Sequence, residues 1–382
     1  MSLSRRRARR LTRTLFGCIV AIGLIHAVAA HGDDDRHHAS STTTKPSVAT
    51  PKALFAGQLI VEGIHGFSAA EVRRMQSAIG SAPLTVTDGE VYIVHGTGSY
   101  PELAVATMVA SATAYAQAAK VDKLAGWLSR GAVLATSAAR LFHLAVGMQV
   151  QVAHGRRVQI TAVVDDRVLG GYQMAVGRNI PVGLGGHADY VIADADHVGA
   201  VESAIRTALP GRRLRFVQPS PRQYFSPTGD VLSQSQMDER FGLFYVRETP
   251  SGIRLDPRWT AAYIRAPRIV QLGTVECNRG IVAPLTAAMK EITRLGLGKT
   301  INTADFIYEG GCWNPRTIRF GHGMISHHAW GIAIDINVGR NPLGAKPHQD
   351  PRLVAIMAKY GFTWGGDWLR HDGAHFEWVG RP

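Results

Sequence analysis

Near the C-terminus of this chain, two histidines and a carboxylate stand in a pattern able to hold a metal ion. His328 and Asp335 lie within Ser326-His327-His328-Ala329-Trp330-Gly331-Ile332-Ala333-Ile334-Asp335. His375 follows within Asp372-Gly373-Ala374-His375-Phe376-Glu377-Trp378. Two imidazoles and one carboxylate can bind one zinc ion through three ligands, which leaves a fourth position for a water or a substrate oxygen. An open fourth position is what distinguishes a catalytic metal site from a structural one.

For these ligands to meet, the local backbone must meet particular conditions. His328 and Asp335 are seven apart, an odd spacing that one regular strand would send to opposite faces. A turn or bulge must therefore lie between them, and Gly331 is the natural place for it. Ala333-Ile334-Asp335-Ile336-Asn337 then reads as a buried strand that delivers Asp335. His375-Phe376-Glu377-Trp378 reads as the next strand, entered from a turn at Asp372-Gly373. Glu377, two residues past His375, shares its face. Upstream, Ile281 to Leu295 places apolar residues at helical spacing and ends at Gly296, and Leu353 to Tyr360 forms a second short helix ended by Gly361.

This constellation resembles the VanY-type D-alanyl-D-alanine carboxypeptidases and related zinc peptidases that cut bacterial peptidoglycan peptides. Three ordered motifs carry the resemblance: Ser-x-His-x-x-Gly-x-Ala-x-Asp at 326–335, Gly361-Phe362-Thr363-Trp364-Gly365-Gly366-Asp367-Trp368, and Asp-x-x-His-Phe at 372–376. It extends upstream through Gly311-Cys312-Trp313-Asn314-Pro315-Arg316 and to about Val231. The resemblance implies that His328, Asp335 and His375 bind one zinc ion. It implies that Asp372 acts as general base and acid, with Glu377 as the alternative, although many relatives carry Glu at the position of Asp372. It also implies an arginine that holds the substrate carbonyl. Arg316 is favoured for this role by its place after Cys312-Trp313, and Arg319 is the alternative. Ser326, Trp364 and Trp368 are candidate substrate contacts, against a turn serine and core tryptophans. His322, His327 and His371 flank the ligands and read better as surface residues. The implied substrate is a peptidoglycan stem peptide, cut by a carboxypeptidase or by an L,D- or D,D-endopeptidase. The remaining alternative is a non-catalytic scaffold that only docks wall peptide.

Composition agrees with a wall protein. The 382 residues are 46% hydrophobic and 19% charged, enough for two or three cored domains. Six arginines from Arg5 to Arg13 precede an apolar run from Leu15 to Ala30, which reads as a signal peptide or a retained N-terminal membrane anchor. The segment contributes six of the thirteen net positive charges, so seven remain beyond it. A basic exported chain suits an anionic cell wall, and no basic stripe interleaved with aromatics points to nucleic acid. Beyond Cys18 only Cys277 and Cys312 remain, a pair expected to form a disulfide in an oxidising compartment and to contribute about 3–4 kcal/mol.

The expected class is α+β: a C-terminal zinc peptidase domain with a small antiparallel sheet flanked by helices, preceded by a mixed α/β domain. The expected boundaries are the signal or anchor at 1–30, a polar linker at 31–52, the mixed domain at 53–217, a Pro/Ser/Gln linker at 218–230, and the peptidase domain at 231–382. In the mixed domain, Val91–Val94 and Val158–Val164 read as strands and Leu103–Ala119 as an Ala-rich helix. Gly131–Ala135, Leu144–Val150, Val163–Asp166 and Leu169–Tyr172 resemble the extracytoplasmic core domain of export-type ABC permeases over about 125–180, which implies an interaction module without chemistry of its own. The histidines scattered here, His65, His95, His143, His154, His187 and His197, have no ligand spacing and read as surface or satisfied core residues.

Overall fold

The computed structural model describes residues 57–152, 155–185, 188–218, 232–250, 252–302, 311–318 and 323–380. The expected signal or anchor, the 31–52 linker, all but the first residue of the 218–230 linker, His154, His187, Arg319 and His322 lie outside the described residues. The chain is α+β, with a large mixed sheet followed by a small antiparallel sheet.

Eleven strands build the large sheet: β1 (Gln58–Phe67), β2 (Leu84–Val94), β3 (Glu102–Ala110), β4 (Ala132–Ala135), β5 (Gln149–Val152), β6 (Arg157–Val164), β7 (Met174–Gly177), β8 (Ala188–Asp194), β9 (Leu214–Val217), β10 (Val246–Thr249) and β11 (Gly252–Leu255). Their order is β11-β10-β3-β7-β4-β6-β5-β2-β8-β1-β9, and a further β2–β3 pairing closes the six strands from β3 to β2 into a ring. Val105, Val109, Val133, Ile160 and Val176 belong to one buried apolar cluster built on these strands. Helices α1 (Ala69–Ile79) and α5 (Val198–Ala208) pack against each other. Their Met75 and Ile205 lie with Leu59 and Val61 of β1 in a separate apolar cluster. α1 begins at a reciprocal Ser68–Glu71 capping box, which satisfies two N-terminal N–H groups.

The Ala-rich stretch departs from expectation. Leu103–Ala110 lies within β3, and helix begins only at Ala112, as α2 (Ala112–Ala119) behind Ser111, whose hydroxyl caps Ala114. Val105, Thr107 and Val109 explain the difference. Branched residues at alternate positions favour extended chain, and β3 gains nine register pairs with β2 and four with β7. Alanine's helix preference is too weak to override that pairing. α3 (Asp122–Arg130) and α4 (Thr136–Leu141) complete this lobe.

Beyond the undescribed 219–231 segment, α6 (Gln234–Phe241) opens on a second capping box, Ser233 with Gln236. The chain then returns to the large sheet, where Val246 of β10 pairs with Glu102 of β3. After α7 (Pro257–Tyr263) come four two-residue strands, β12 (Ile264–Arg265), β13 (Arg268–Ile269), β14 (Gly273–Thr274) and β15 (Cys277–Asn278). α8 (Val282–Arg294) buries Leu285, Ala288, Met289 and Ile292 on one face. The small sheet has the order β16 (Ala333–Asp335), β18 (His375–Trp378), β17 (Phe362–Trp364), with α9 (Pro351–Lys359) packed against α8 and β17. The core around this sheet includes Tyr92 and Ala104 of the large sheet.

Candidate metal centre

His328 is carried on a tight 3-10 turn, His327–Ala329, capped by Ser326, whose hydroxyl accepts from the His328 backbone N–H at 3.4 Å. Trp330 ends this turn, and Gly331 reverses the chain at φ 71°, in the left-handed region. A Cβ at Gly331 would sit 2.9 Å from the Asn278 backbone nitrogen, so glycine is required twice over. β16 then runs antiparallel to β18 with Asp335 directly opposite His375. The odd spacing is thus resolved by a turn on one side and a strand on the other.

The two imidazoles are anchored differently. His328 is 1% exposed, and its Nδ1 lies 3.1 Å from the Cys312 carbonyl oxygen. A carbonyl only accepts, so Nδ1 carries the proton and Nε2 presents a lone pair. That buried Nε2 has no hydrogen-bond partner among the described residues. It lies 3.3 Å from Asp335 Oδ2. His375 places Nδ1 3.1 Å from Asp335 Oδ1 and Nε2 3.2 Å from Glu377 Oε2. One ligand atom from each of His328, Asp335 and His375 can be chosen so that all lie within 4.8 Å of one another.

This donor set fits zinc. Ligand atoms about 2.0–2.1 Å from a shared tetrahedral ion stand about 3.3 Å apart, near the observed separations of 3.1 and 3.3 Å. In each imidazole the nitrogen away from the cluster is held by a carbonyl or a carboxylate, the outer support typical of histidine ligands. The cluster's electrostatics suit a cation. Burial alone would raise the Asp335 carboxyl, but the two imidazoles beside it, His328 first and then His375, hold it well below the ordinary range. Burial likewise opposes the charge on His375, yet its hydrogen bonds to the carboxylates of Asp335 and Glu377 push it up to about 10.

Asp372 sits on the turn into β18. Its N–H donates to the Gly365 carbonyl at 2.8 Å, and its own carbonyl accepts from His375 N–H at 3.1 Å. Gly365 makes this approach feasible, since a Cβ there would lie 2.8 Å from the Asp372 carbonyl oxygen and 3.2 Å from His375 Cβ. Burial raises the Asp372 carboxyl, and Asp335 adds to this, while His375, His328 and Arg316 oppose it. A carboxyl raised in this way is a better proton acceptor than an ordinary aspartate.

Arg316 is half-buried and donates through a guanidinium nitrogen to Ser326 Oγ at 2.5 Å, while the Ser326 N–H donates to the Arg316 carbonyl at 3.0 Å. Ser326 therefore links the arginine to the His328 turn. Trp364 donates its indole N–H to the Gly373 carbonyl at 2.9 Å and stacks on Phe376, which braces the Asp372 turn. Trp368, not Trp364, has its ring against His375, with centroids 5.0 Å apart. Cys277 and Cys312 are joined and fully buried. The chain after Cys312 bonds on one side to the Glu276 carbonyl and on the other to that of His328.

Two flanking histidines differ from the surface reading. His327 places Nδ1 2.7 Å from Glu377 Oε2, so Glu377 joins His327 to His375. Burial opposes its ionisation, but the two histidines bring Glu377 down to about 2. A carboxylate so engaged orients ligands and is a poor proton acceptor. The i+2 spacing had placed it on this face, but nothing in the sequence marked His327 as its second partner. His371 is half-buried, and its Nδ1 is covered without a hydrogen-bond partner among the described residues. In the large lobe, His95 is a satisfied residue, held by Tyr245 and the Phe142 carbonyl.

Residues 321–378, which include all three clustered residues and Asp372, match a family model described as D-alanyl-D-alanine carboxypeptidase. Among solved structures, the periplasmic region of MacB from Actinobacillus actinomycetemcomitans is similar at 12% identity and a TM-score of 0.32, over 44% of this chain and 90% of that one. The extracellular domain of the noncanonic ABC-type transporter YknZ from Gram-positive bacteria is similar at 10% identity and a TM-score of 0.30, over 38% and 88%. The resemblance drawn from the C-terminal motifs is met again in the family match. No curated protein matches the chain.

Proposed function

We propose that this chain is a zinc-dependent peptidase of the bacterial cell wall that removes the terminal D-alanine from peptidoglycan stem peptides. The observation that carries the reading is the buried Nε2 of His328, without a hydrogen-bond partner among the described residues, which faces Asp335 and His375 and presents a lone pair where a cation could be held by all three. The family match over the same residues supports the choice of substrate.

In this reading His328, Asp335 and His375 hold the ion, and the Cys312 carbonyl and Glu377 fix the two rings. Bound zinc supplies Lewis acidity to a water and to the substrate carbonyl. Asp372 takes a proton from the attacking water and delivers one to the departing amine. Arg316, held by Ser326, faces the oxygen on which negative charge develops. Trp368 lines the approach to His375. Export is part of the proposal: the N-terminal arginines before an apolar run and the Cys277–Cys312 disulfide support work outside the cytoplasm, and the remaining basic charge suits an anionic wall.

Metal analysis of the purified chain tests the reading. About one zinc per wild-type chain is expected, and loss of both zinc and hydrolysis in His328→Ala. Hydrolysis that survives His328→Ala would sink it.

A further inference from the structure

A buried chain of polar side chains runs from the large sheet to the metal cluster. Gln173, just before β7, is fully buried and occupies both backbone groups of Ala106 on β3: its N–H donates to the Ala106 carbonyl at 2.9 Å, and its Oε1 accepts from the Ala106 N–H at 3.1 Å. That second bond fixes which way the amide points. Its Nε2 must then donate, and it does so to Asp238 Oδ2 at 2.9 Å. The other oxygen of Asp238 accepts from Trp330 Nε1 at 3.2 Å. Trp330 is 1% exposed and ends the turn that carries His328. From its neighbour His327 the path continues through Glu377 to His375.

The chemistry of the middle link is specific. Gln173 Nε2 and Trp330 Nε1 are both obligatory donors, so the group between them must accept on both sides. A carboxylate does this. Asparagine has one accepting oxygen and would turn its NH2 against one of the donors. Burial raises the Asp238 carboxyl to about 8, although the two N–H groups lower it. Burying such a group is costly, and an apolar residue packed at this place would avoid that cost.

We propose that Asp238 is a positioning residue of the metal centre, through which the large-sheet lobe fixes Trp330 and hence the aim of His328 at the ion. The proposal rests on the zinc reading above. It gives residues 53–217 a part in the site, as a scaffold that reaches the ligand turn through Gln173.

Zinc affinity, measured by competition with a chromophoric chelator on the full chain, is the test, with thermal stability recorded for each variant. Asp238→Asn should weaken zinc binding about tenfold, in the range for groups that orient ligands. Gln173→Met, which cuts the path at its far end, should weaken it by a few-fold. Ser137→Ala breaks a different bond across the same lobes, Ser137 to Ser235 at 2.8 Å, and should leave zinc affinity unchanged whatever it does to stability. Should Asp238→Asn fail to fold, Gln173→Met decides. Wild-type zinc binding with folded Asp238→Asn or Gln173→Met unchanged within twofold would overturn the proposal alone. A wild-type chain that takes up no zinc would instead sink the peptidase reading, and this inference with it.

Discussion

The proposed base, Asp372, has a side chain one methylene shorter than glutamate, and its backbone brings that carboxyl to the cluster. The turn is drawn against Gly365 and bonded to His375, which brings the carboxyl close enough for His375, His328, Asp335 and Arg316 all to influence it. Asp372→Asn should lower the hydrolysis rate by about 10²–10⁴-fold while zinc content stays near one per chain. Zinc content and steady-state rate on the same preparation check this, and a variant that keeps wild-type rate would transfer the role elsewhere. The three clustered residues were legible because their types and spacing are intrinsic to the chain. The His327–Glu377 contact was not, because burial of a histidine depends on what the rest of the fold lays over it.

The element that aims these residues is the three-stranded sheet with its turns. Gly365→Ala would place a methyl group against Asp372 and His375, and overpacking of this kind costs about 1–3 kcal/mol. The expected outcome is a lowered melting temperature together with weakened zinc binding, whereas Gly296→Ala, where a Cβ meets nothing within 4 Å, should leave zinc binding alone. The disulfide acts on the same elements from behind. Replacing Cys277 and Cys312 together by Ala should cost about 2–4 kcal/mol in denaturant unfolding. It should also weaken zinc binding, since Cys312 supplies the carbonyl that holds His328. At this scale the sequence was read unevenly. The strands at Ala333 and His375 and the helices after Ile281 and near Leu353 were evident from apolar pattern and glycine stops. β3 was not, because its alanines matched a helix while its pairing with β2 and β7 is non-local.

Across the whole molecule, the two cores meet at a seam of buried polar groups that composition could not reveal. Tyr92 donates to the Gly323 carbonyl at 3.1 Å, and Glu90, 6% exposed, lies 3.5 Å from the Ile325 N–H. Both contacts reach the segment that leads to Ser326. Burial pushes the Glu90 carboxyl up to about 8. The folded chain then keeps a proton that the unfolded chain releases near the ordinary value of 4.5, so this residue's contribution to stability declines as pH rises from about 4.5 to 8. Glu90→Gln should flatten that part of the stability profile and be more stable than wild type at pH 8, with little difference at pH 4. Urea unfolding across this range checks it, and an unchanged slope would contradict it.

In the proposed function the cluster at His328, Asp335 and His375 holds zinc and the chain cuts a wall peptide at its D-alanyl end. Mass spectrometry of an intact stem pentapeptide after incubation with the zinc-loaded chain tests it most directly. Loss of a single terminal alanine is expected, abolished by His328→Ala and by chelation of the metal. A peptide cut internally would contradict the carboxypeptidase assignment, and a peptide left whole by a chain that holds its zinc would contradict the peptidase itself.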